Sequence, residues 1–300
     1  MDIIKLLRPK DWAKNAFLFL PVFFAGDLFN TYKLQLLLLG FVAFSFTASA
    51  IYILNDYRDR EDDRKHPVKS KRPLASGKVK PGVALAIAAV LLAAGFTLAF
   101  GFIGNYRFIL ILAVYFGMNL GYSLGLKNIS ILDILIIAAG FVLRLKAGGY
   151  IAGVEVSPWL TLMVLLLSLF MAIAKRRDDI LLKLETGTDM RRSVKGYNLD
   201  FLNTLLSLFS AIIIVTYIMY TLSPKTYERL QSYHLYYTSI FVIAGLMRYL
   251  QISLVQNKAG SPTELLYKDL FLQTTIVLWM ASFYIILYFK KFTILSGSLH

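Results

Sequence analysis

The chain has 300 residues, of which 57% are hydrophobic and only 17% are charged, and its net charge is +14. A soluble domain of this length carries fewer apolar and more charged residues, so the composition predicts an integral membrane protein. The absence of cysteine excludes disulfides, thiolate catalysis and cysteine-ligated metals. The basic excess is typical of loops that face anionic lipid. Because there is no basic-aromatic recognition module, we do not expect a nucleic acid as a partner.

Hydrophobic runs of about 20 residues recur along the whole chain, and a run of that length crosses a bilayer core of about 30 Å. They predict an all-α, polytopic membrane protein with nine transmembrane helices in a single domain, residues 1–300. The charged N-terminal segment is unlike a secretory signal peptide and predicts a short interfacial helix. The predicted spans are 15–31, 34–54, 82–103, 107–126, 131–151, 158–175, 201–222, 235–255 and 270–289.

The Lys and Arg residues outside these spans lie mostly on the side of the N-terminus. The N-terminal arm and the two long loops, 55–81 and 175–200, carry most of them. The positive-inside rule therefore predicts that the N-terminus and both loops are cytoplasmic, in the inner membrane of the cell. With an odd number of spans, the C-terminus is expected outside.

An acidic segment, NDYRDREDD at residues 55–63, follows the second span directly. If the helix continues, Asn55, Asp59 and Asp63 recur at intervals of four, with Asp56 three residues before Asp59, so that they share one face. Clustered carboxylates repel each other unless a cation lies among them, and hard oxygen ligands suit Mg²⁺, which commonly bridges carboxylates to a substrate phosphate. The segment is a candidate metal–diphosphate site.

A solvated, charged helix end is the alternative interpretation of this segment. In that case Arg58, Arg60, Arg64 and Lys65 would pair with the neighbouring acids. The following KSKRPLASG segment, which contains Arg72, is open to two interpretations as well: an anion-binding loop or an ordinary basic turn.

A second charged cluster, AKRRDDILLK, ends the sixth span. On a continuing helix Lys175, Asp179 and Lys183 share a face, with Arg176 three residues before Asp179. Salt bridges within the helix explain much of this pattern. Two acid-bearing helix ends at one membrane level could instead hold a metal–diphosphate between them.

Polar residues also occur in the central spans. Tyr122 and Lys127 are predicted near the cytoplasmic junction of spans four and five, and Arg144 is predicted about 11 residues, or about 16 Å, into span five. A charge at that depth usually faces a cavity or a partner group. A structural pair on another helix, or snorkelling to the outer side, remains open.

The pattern Asn55-Asp56-x-x-Asp59-x-x-x-Asp63 resembles the NDxxDxxxD motif of the UbiA superfamily of intramembrane prenyltransferases. Together with RPKDWAKN, NDYRDREDDRKHPVKSKRPLASG, YSLGLKNISILD, GFVLR, AKRRDDI and SPTELLYKDLFLQ, it is similar to the decaprenyl-phosphate phosphoribosyltransferase branch. The resemblance implies a UbiA-like bundle of nine helices with cytoplasmic active-site loops. One departure is that the second motif lacks a full DxxxD, so Asp179 is its best acid.

The branch implies a Mg²⁺-dependent pentosyltransferase that moves 5-phosphoribose from phosphoribosyl diphosphate to a polyprenyl phosphate, releasing diphosphate, for cell-envelope glycan synthesis. The oligomeric state is left open. The residues expected to be catalytic are Asp56, Asp59, Asp63 and Asp179, and with Asn55 they form the expected metal set. The residues expected to bind substrate are Lys14, Asn55, Arg58, Arg72, Tyr122, Lys127, Arg144, Lys175 and Arg176.

Two other functions fit the same residues. A prenyl-diphosphate:aromatic prenyltransferase would use the same scaffold and the same acids. An ion-coupled transporter would use Arg144 and the acids as coupling groups, but transporter sites lie near the midplane, whereas these acids cluster at one membrane face.

Overall fold

The computed structural model describes residues 2–65, 69–186, 196–230, 232–256, 265 and 268–288. Every regular element within these ranges is helical, which confirms the all-α prediction. The chain divides into two compact units, Met1–Ser157 (unit 1) and Pro158–His300 (unit 2). The predicted single domain over residues 1–300 stays a prediction.

Unit 1 begins with a short helix and a 3₁₀ helix, Pro9–Phe19, and continues with five further α-helices. Its α-helices are α1 (Asp2–Leu7), α2 (Leu20–Ala25), α3 (Thr31–Lys65), α4 (Pro81–Leu98), α5 (Tyr106–Leu124) and α6 (Leu132–Ala152). A π-helical turn, Ala99–Ile103, extends α4. The long α3 packs against α4, α5, α6 and the 3₁₀ helix, and it therefore forms the centre of the unit.

The described residues of unit 2 form five α-helices, which are α7 (Pro158–Thr186), α8 (Leu199–Leu222), α9 (Pro224–Leu230), α10 (Ser239–Leu250) and α11 (Leu270–Tyr288). A 3₁₀ helix, His234–Thr238, precedes α10, and a π-helical turn, Gln251–Val255, follows it. Within the unit α7 packs against α8, and α10 packs against α8 and α11.

Seven helices in the described residues are long and apolar enough to cross a membrane, and α11 is apolar but shorter over Leu270–Ile286. The prediction of nine spans is therefore not confirmed. Residues 15–31 do not form one long helix, because the 3₁₀ helix gives way to α2, and α2 ends at Gly26 in the left-handed conformation. The seven helices are Thr31–Arg64, Pro81–Ile103, Tyr106–Leu124, Leu132–Ala152, Pro158–Leu184, Leu199–Leu222 and His234–Val255.

The 3₁₀ helix lies very close to α6 because α6 carries a glycine at the contact. A Cβ on Gly148 would lie 1.9 Å from the carbonyl oxygen of Leu18, so no other residue fits without a shift of the backbone. Leu18 is fully buried in the main apolar cluster of unit 1, together with Phe44 of α3 and Phe108 of α5. This close approach places the polar residues of the 3₁₀ helix against α3 and α6.

Candidate active site

The acidic segment lies on a continuous helix, as the sequence predicts, because α3 extends without a break from Thr31 to Lys65. The first helix-breaking residue after the motif is Pro67, which lies outside the described residues. All acidic side chains of the motif therefore project from one rigid helix end. The partners of Asp56, Asp59 and Asp63 come from other segments of unit 1.

Asp56 is almost completely buried, with 3% of its side chain exposed, and two arginines donate to it. Arg8 Nη2 donates to Asp56 Oδ1 at 2.6 Å and to Oδ2 at 2.8 Å. Arg72 Nη1 donates to Asp56 Oδ1 at 3.0 Å. A carboxylate can be buried only when its charge is compensated in this way.

Arg72 also joins Asp56 to Asp63, since the same Nη1 donates to Asp63 Oδ2 at 2.7 Å. The two acids are seven residues apart, which is close to two turns of helix at about 3.6 residues per turn. The sequence predicts that Asp63 shares one helix face with Asn55 and Asp59. In the structure, the polar side chains of the motif instead form two groups with different cations. Asp63 belongs with Asp56, and Arg72 bridges them.

Lys127 bridges the other half of the motif. Its Nζ donates to both oxygens of Asp59, at 2.7 Å and 2.5 Å, and to Asn55 Oδ1 at 3.1 Å. Lys127 reaches α3 because α5 ends at Gly125, whose φ of 148° turns the chain into a short 3₁₀ helix. The structure thus pairs Lys127 with an acid of the motif, and its predicted contact with substrate stays a prediction.

The arginines within the motif itself do not pair with Asp56, Asp59 or Asp63 in the structure. Arg60 and Arg64 pair with Glu61, whose side chain is 62% exposed, and Arg58 donates to the carbonyl of Leu124 at 2.8 Å. The interpretation as a solvated helix end therefore applies to Glu61. It does not apply to Asp56, Asp59 or Asp63, whose cations lie outside the motif.

Arg8, which was not among the sequence candidates for binding, is fixed by contacts on both sides. Ser49 of α3 donates to the carbonyl of Leu7 at 2.7 Å and accepts from Trp12 Nε1 at 2.9 Å. Arg8 itself has a left-handed backbone, with φ 51° and ψ 58°, and its guanidinium lies 5.2 Å from the centre of the Tyr52 ring. The only sequence signal for it was its place in the RPKDWAKN segment.

Lys14 lies in the same 3₁₀ helix and pairs with Asp11 at 2.6 Å. Its ammonium is also 5.9 Å from the centre of the Tyr52 ring. Burial alone would lower the pKa of Lys14, but Tyr52 and Asp11 outweigh burial, and the pKa lies above its ordinary value. Lys14 therefore remains a cation at neutral pH.

Arg144 of α6 is buried, with 5% exposure, and hydrogen bonds to three neutral groups. Its Nε donates to Asn15 Oδ1 at 2.7 Å, its Nη1 to the Gly140 carbonyl at 2.9 Å, and its Nη2 to the Tyr115 hydroxyl at 2.7 Å. Three aromatic rings surround the guanidinium at 4.7–5.7 Å, namely those of Phe44, Tyr115 and Phe141. These contacts tie α6 to α5 and to the 3₁₀ helix. The predicted contact of Arg144 with substrate stays a prediction.

The oxygen donors on α3 can be tested for their fit to Mg²⁺. In the described part of the chain, no three acidic or histidine side chains are gathered so that they could enclose one ion. However, Mg²⁺ commonly uses one or two protein carboxylates and completes its coordination with water and substrate phosphate. The side chains of Asn55, Asp56, Asp59 and Asp63 fit an ion that is shared with a phosphate, and they do not fit an ion held by protein alone.

The second cluster, in unit 2, also lies on a continuous helix, because α7 extends from Pro158 to Thr186. Arg176 Nη1 donates to Asp179 Oδ2 at 2.9 Å, which is the predicted pair within one helix. Arg177 donates to Asn203 of α8 at 2.7 Å. Lys175 is exposed at the surface of the unit. In unit 1, Tyr122 is half-buried at the end of α5. The assignments of Asp179, Lys175, Arg176 and Tyr122 to substrate or metal stay predictions.

A family profile and two relatives of known name agree on the family that this chain resembles. The profile of the UbiA prenyltransferase family matches residues 16–186, a range that includes both acidic helix ends. A decaprenyl-phosphate phosphoribosyltransferase of Corynebacterium glutamicum is 34% identical over 282 residues, covering 93% of this chain and 84% of the relative. The enzyme of the same name from Mycobacterium tuberculosis is 30% identical over 285 residues, covering 93% of this chain and 92% of the relative.

Solved structures of similar fold are also known. A UbiA homologue from Archaeoglobus fulgidus bound to DMAPP and Mg²⁺ has a TM-score of 0.71 and 22% identity, over 96% of this chain and 99% of that one. A structure of digeranylgeranylglyceryl phosphate synthase has a TM-score of 0.66 and 20% identity, over 95% and 97%. At these identities the likeness establishes the helical fold.

Proposed function

The chain belongs to the UbiA prenyltransferase family, and on this premise we propose that it is a pentosyltransferase that moves 5-phosphoribose from phosphoribosyl diphosphate to a polyprenyl phosphate. The observation that carries the choice of substrates is the 34% identity, over 93% of the chain, to a relative named decaprenyl-phosphate phosphoribosyltransferase. The product would serve as a precursor of a cell-envelope glycan.

The acidic end of α3 is the proposed site for the donor diphosphate. Asp56, Asp59 and Asp63, with Asn55, would hold Mg²⁺ on the diphosphate; the A. fulgidus homologue with DMAPP and Mg²⁺ supports a divalent metal. A bound metal supplies charge neutralisation for the departing diphosphate. Asp179 stays a sequence-based candidate for the same metal set.

The basic residues around these acids would neutralise the donor's phosphates. Arg72 and Lys127 already lie on the acids, and Lys14 remains protonated beside Tyr52. Positive groups placed before the reaction stabilise the negative charge that develops on the leaving diphosphate. Arg58, Lys175 and Arg176 remain further candidates for phosphate contacts.

The acceptor needs no general base, because a polyprenyl phosphate is already anionic at neutral pH. Its phosphate oxygen forms the new bond to C1 of the ribose, and the bond from C1 to the diphosphate oxygen breaks with its electron pair on the diphosphate. No proton changes place in this step. Tyr122 and Arg144 remain candidates for the region of the lipid headgroup.

We also propose the membrane arrangement that the sequence predicts. The seven long apolar helices support a multi-pass protein, and the excess of Lys and Arg supports a cytoplasmic position for the N-terminus and the acidic end of α3. Nine spans in the inner membrane would bring the site to the side where phosphorylated sugars are found.

The test is a choice between donors. The purified protein is incubated with Mg²⁺, a polyprenyl phosphate and either phosphoribosyl diphosphate or farnesyl diphosphate, the latter also with an aromatic acceptor, and lipid products are identified by mass. We expect a phosphoribosylated lipid from the first donor only, and its loss on chelation with EDTA. Prenylation of the aromatic acceptor would establish the alternative reaction, and no product from any pair would favour a transporter.

A further inference from the structure

We propose that Arg8, Arg72 and Lys127 are exchangeable counter-ions of the α3 carboxylates, so that the site takes a divalent metal and a diphosphate together and binds either one poorly alone. The proposal deepens the proposed function and rests on it for the identity of the donor. It also adds Arg8 to the residues that contact the diphosphate.

The first support is the charge balance of the cluster. Three carboxylates, those of Asp56, Asp59 and Asp63, face three cations, those of Arg8, Arg72 and Lys127. Each carboxylate has at least one cation within 2.8 Å. Within the cluster, the three negative and three positive charges therefore balance one another, so neither a free metal ion nor a free diphosphate finds an unpaired charge among these six groups.

The second support is the burial of two of the three carboxylates. The side chains of Asp56 and Asp63 are 3% and 5% exposed, whereas those of their partners Arg8 and Arg72 are 24% and 28% exposed. Asp59 and Lys127 do not differ in this way, with 26% and 20% of their side chains exposed. The carboxylates are fixed on α3, and the cations belong to connecting segments at or beyond the ends of α1, α3 and α5. In the proposed exchange the cations are therefore the groups that change partner, while the carboxylates stay on α3.

The exchange follows from the need to keep each charge in the cluster next to an opposite charge. A metal that binds alone must take oxygens from the guanidinium groups and leave those cations next to a doubly charged ion. A diphosphate that binds alone finds the cations already paired and the carboxylates repelling it. When both arrive, the carboxylates pass to the metal and the cations pass to the phosphate oxygens, so that every charge keeps an opposite partner.

Arg8 is held ready for this exchange by its backbone. Its φ of 51° is unusual for a residue with a side chain, and the flanking bonds of Ser49 to Leu7 and Trp12 maintain it. The backbone is thus anchored on α3, while the guanidinium contacts Asp56 through a single nitrogen. A single-nitrogen contact can be transferred to a phosphate without moving the main chain.

The test uses probes that contain neither ribose nor lipid. Binding of Mn²⁺ alone is measured by electron paramagnetic resonance, and binding of inorganic pyrophosphate with Mg²⁺ by calorimetry, on the full chain in detergent. The variants are Arg8→Asn, which keeps a residue type that tolerates the left-handed backbone, together with Arg72→Gln and Lys127→Gln. The control is Arg64→Gln, because among the described residues Arg64 bonds to Glu61 and to the Ala75 carbonyl and to none of the three acids.

We expect each variant to change the affinity for Mn²⁺ and the affinity for pyrophosphate with Mg²⁺ in opposite directions. Each variant frees a carboxylate, so Mn²⁺ alone should bind about tenfold more tightly, while pyrophosphate with Mg²⁺ should bind about tenfold more weakly, within the usual range of coupling. The control should change neither value. If both affinities fall together, or if Mn²⁺ binding stays unchanged in the variants that fold, the exchange is overturned.

The same measurements separate this inference from the proposed function. Opposite shifts in a protein that makes no phosphoribosylated lipid would leave the exchange standing and reject the choice of substrates. Normal phosphoribosyl transfer without opposite shifts in the two affinities would support the choice of substrates and reject the exchange.

Discussion

Arg72 and Arg144 both lie in unit 1, yet Arg72 bonds to two carboxylates while the three hydrogen-bond partners of Arg144 are neutral. Arg72 is also partly exposed, with 28% of its side chain accessible, whereas Arg144 is buried. The two arginines therefore differ both in charge balance and in access to solvent.

From this difference we infer which of the two arginines can contact a substrate phosphate. Arg72 is partly accessible to solvent, and in the proposed exchange a phosphate replaces a carboxylate as its partner while a metal ion takes over the carboxylate. Arg144 uses all three nitrogens on Asn15, Gly140 and Tyr115, and leaving them would strand buried polar groups. We therefore expect the α3 cluster to control activity and the Arg144 network to control stability.

The largest effect is expected for Asp59→Asn. The substitution removes one carboxylate charge and should lower phosphoribosyl transfer by a factor of about 10²–10³, the range found when a charge-stabilising group is lost, without lowering the melting temperature. The matched control is Glu61→Gln, since Glu61 is exposed on the same helix and, in the part of the chain that the structure describes, pairs with Arg60 and Arg64. Activity near that of the control would reject the metal assignment of Asp59.

Arg144→Met should act in the opposite way. It leaves the buried oxygens of Asn15 and Tyr115 without their donor, at a cost of about 1–3 kcal/mol for each group, and the melting temperature should fall by about 5–10 °C. The control is Arg107→Gln, which changes an exposed arginine that bonds to Tyr106. A variant that melts normally but binds either substrate poorly would instead confirm the sequence-based prediction that Arg144 contacts substrate.

The sequence could predict the helices that carry the acids because that information is local. No helix breaker occurs in the motif before Pro67, and α3 indeed continues through Asp63. The salt bridge between Arg176 and Asp179 was equally predictable, because residues three apart on a helix are neighbours.

The partners of the α3 acids could not be predicted, because they depend on tertiary packing. Arg8 is 48 residues from Asp56 in sequence, and Lys127 is 68 residues from Asp59. A single sequence does not show that either pair of residues is close in space. The first predicted span was not confirmed for a different reason: hydrophobic length alone does not distinguish a long α-helix from a 3₁₀ helix followed by a short helix over Pro9–Ala25.

A smaller effect is expected for Tyr115→Phe, which removes one hydroxyl from the Arg144 network and keeps the ring. The guanidinium loses one of its three acceptors but retains the Asn15 and Gly140 bonds. We expect a loss of about 1–2 kcal/mol in the free energy of unfolding, measured by thermal denaturation. The affinity for pyrophosphate with Mg²⁺ should stay unchanged; a fall in that affinity would link the two networks.

The smallest effect is expected for Arg8→Lys, and its comparison with Arg144→Lys tests the contrast directly. Arg8 contacts Asp56 through one nitrogen, so an ammonium can replace it, and pyrophosphate binding should weaken by only about two- to threefold. Arg144 donates in three directions from a planar group, a geometry that lysine cannot reproduce, so Arg144→Lys should destabilise the fold almost as much as Arg144→Met. If lysine is tolerated equally at both positions, charge alone matters at Arg144. The proposed division between a reactive cluster and a structural one would then be wrong.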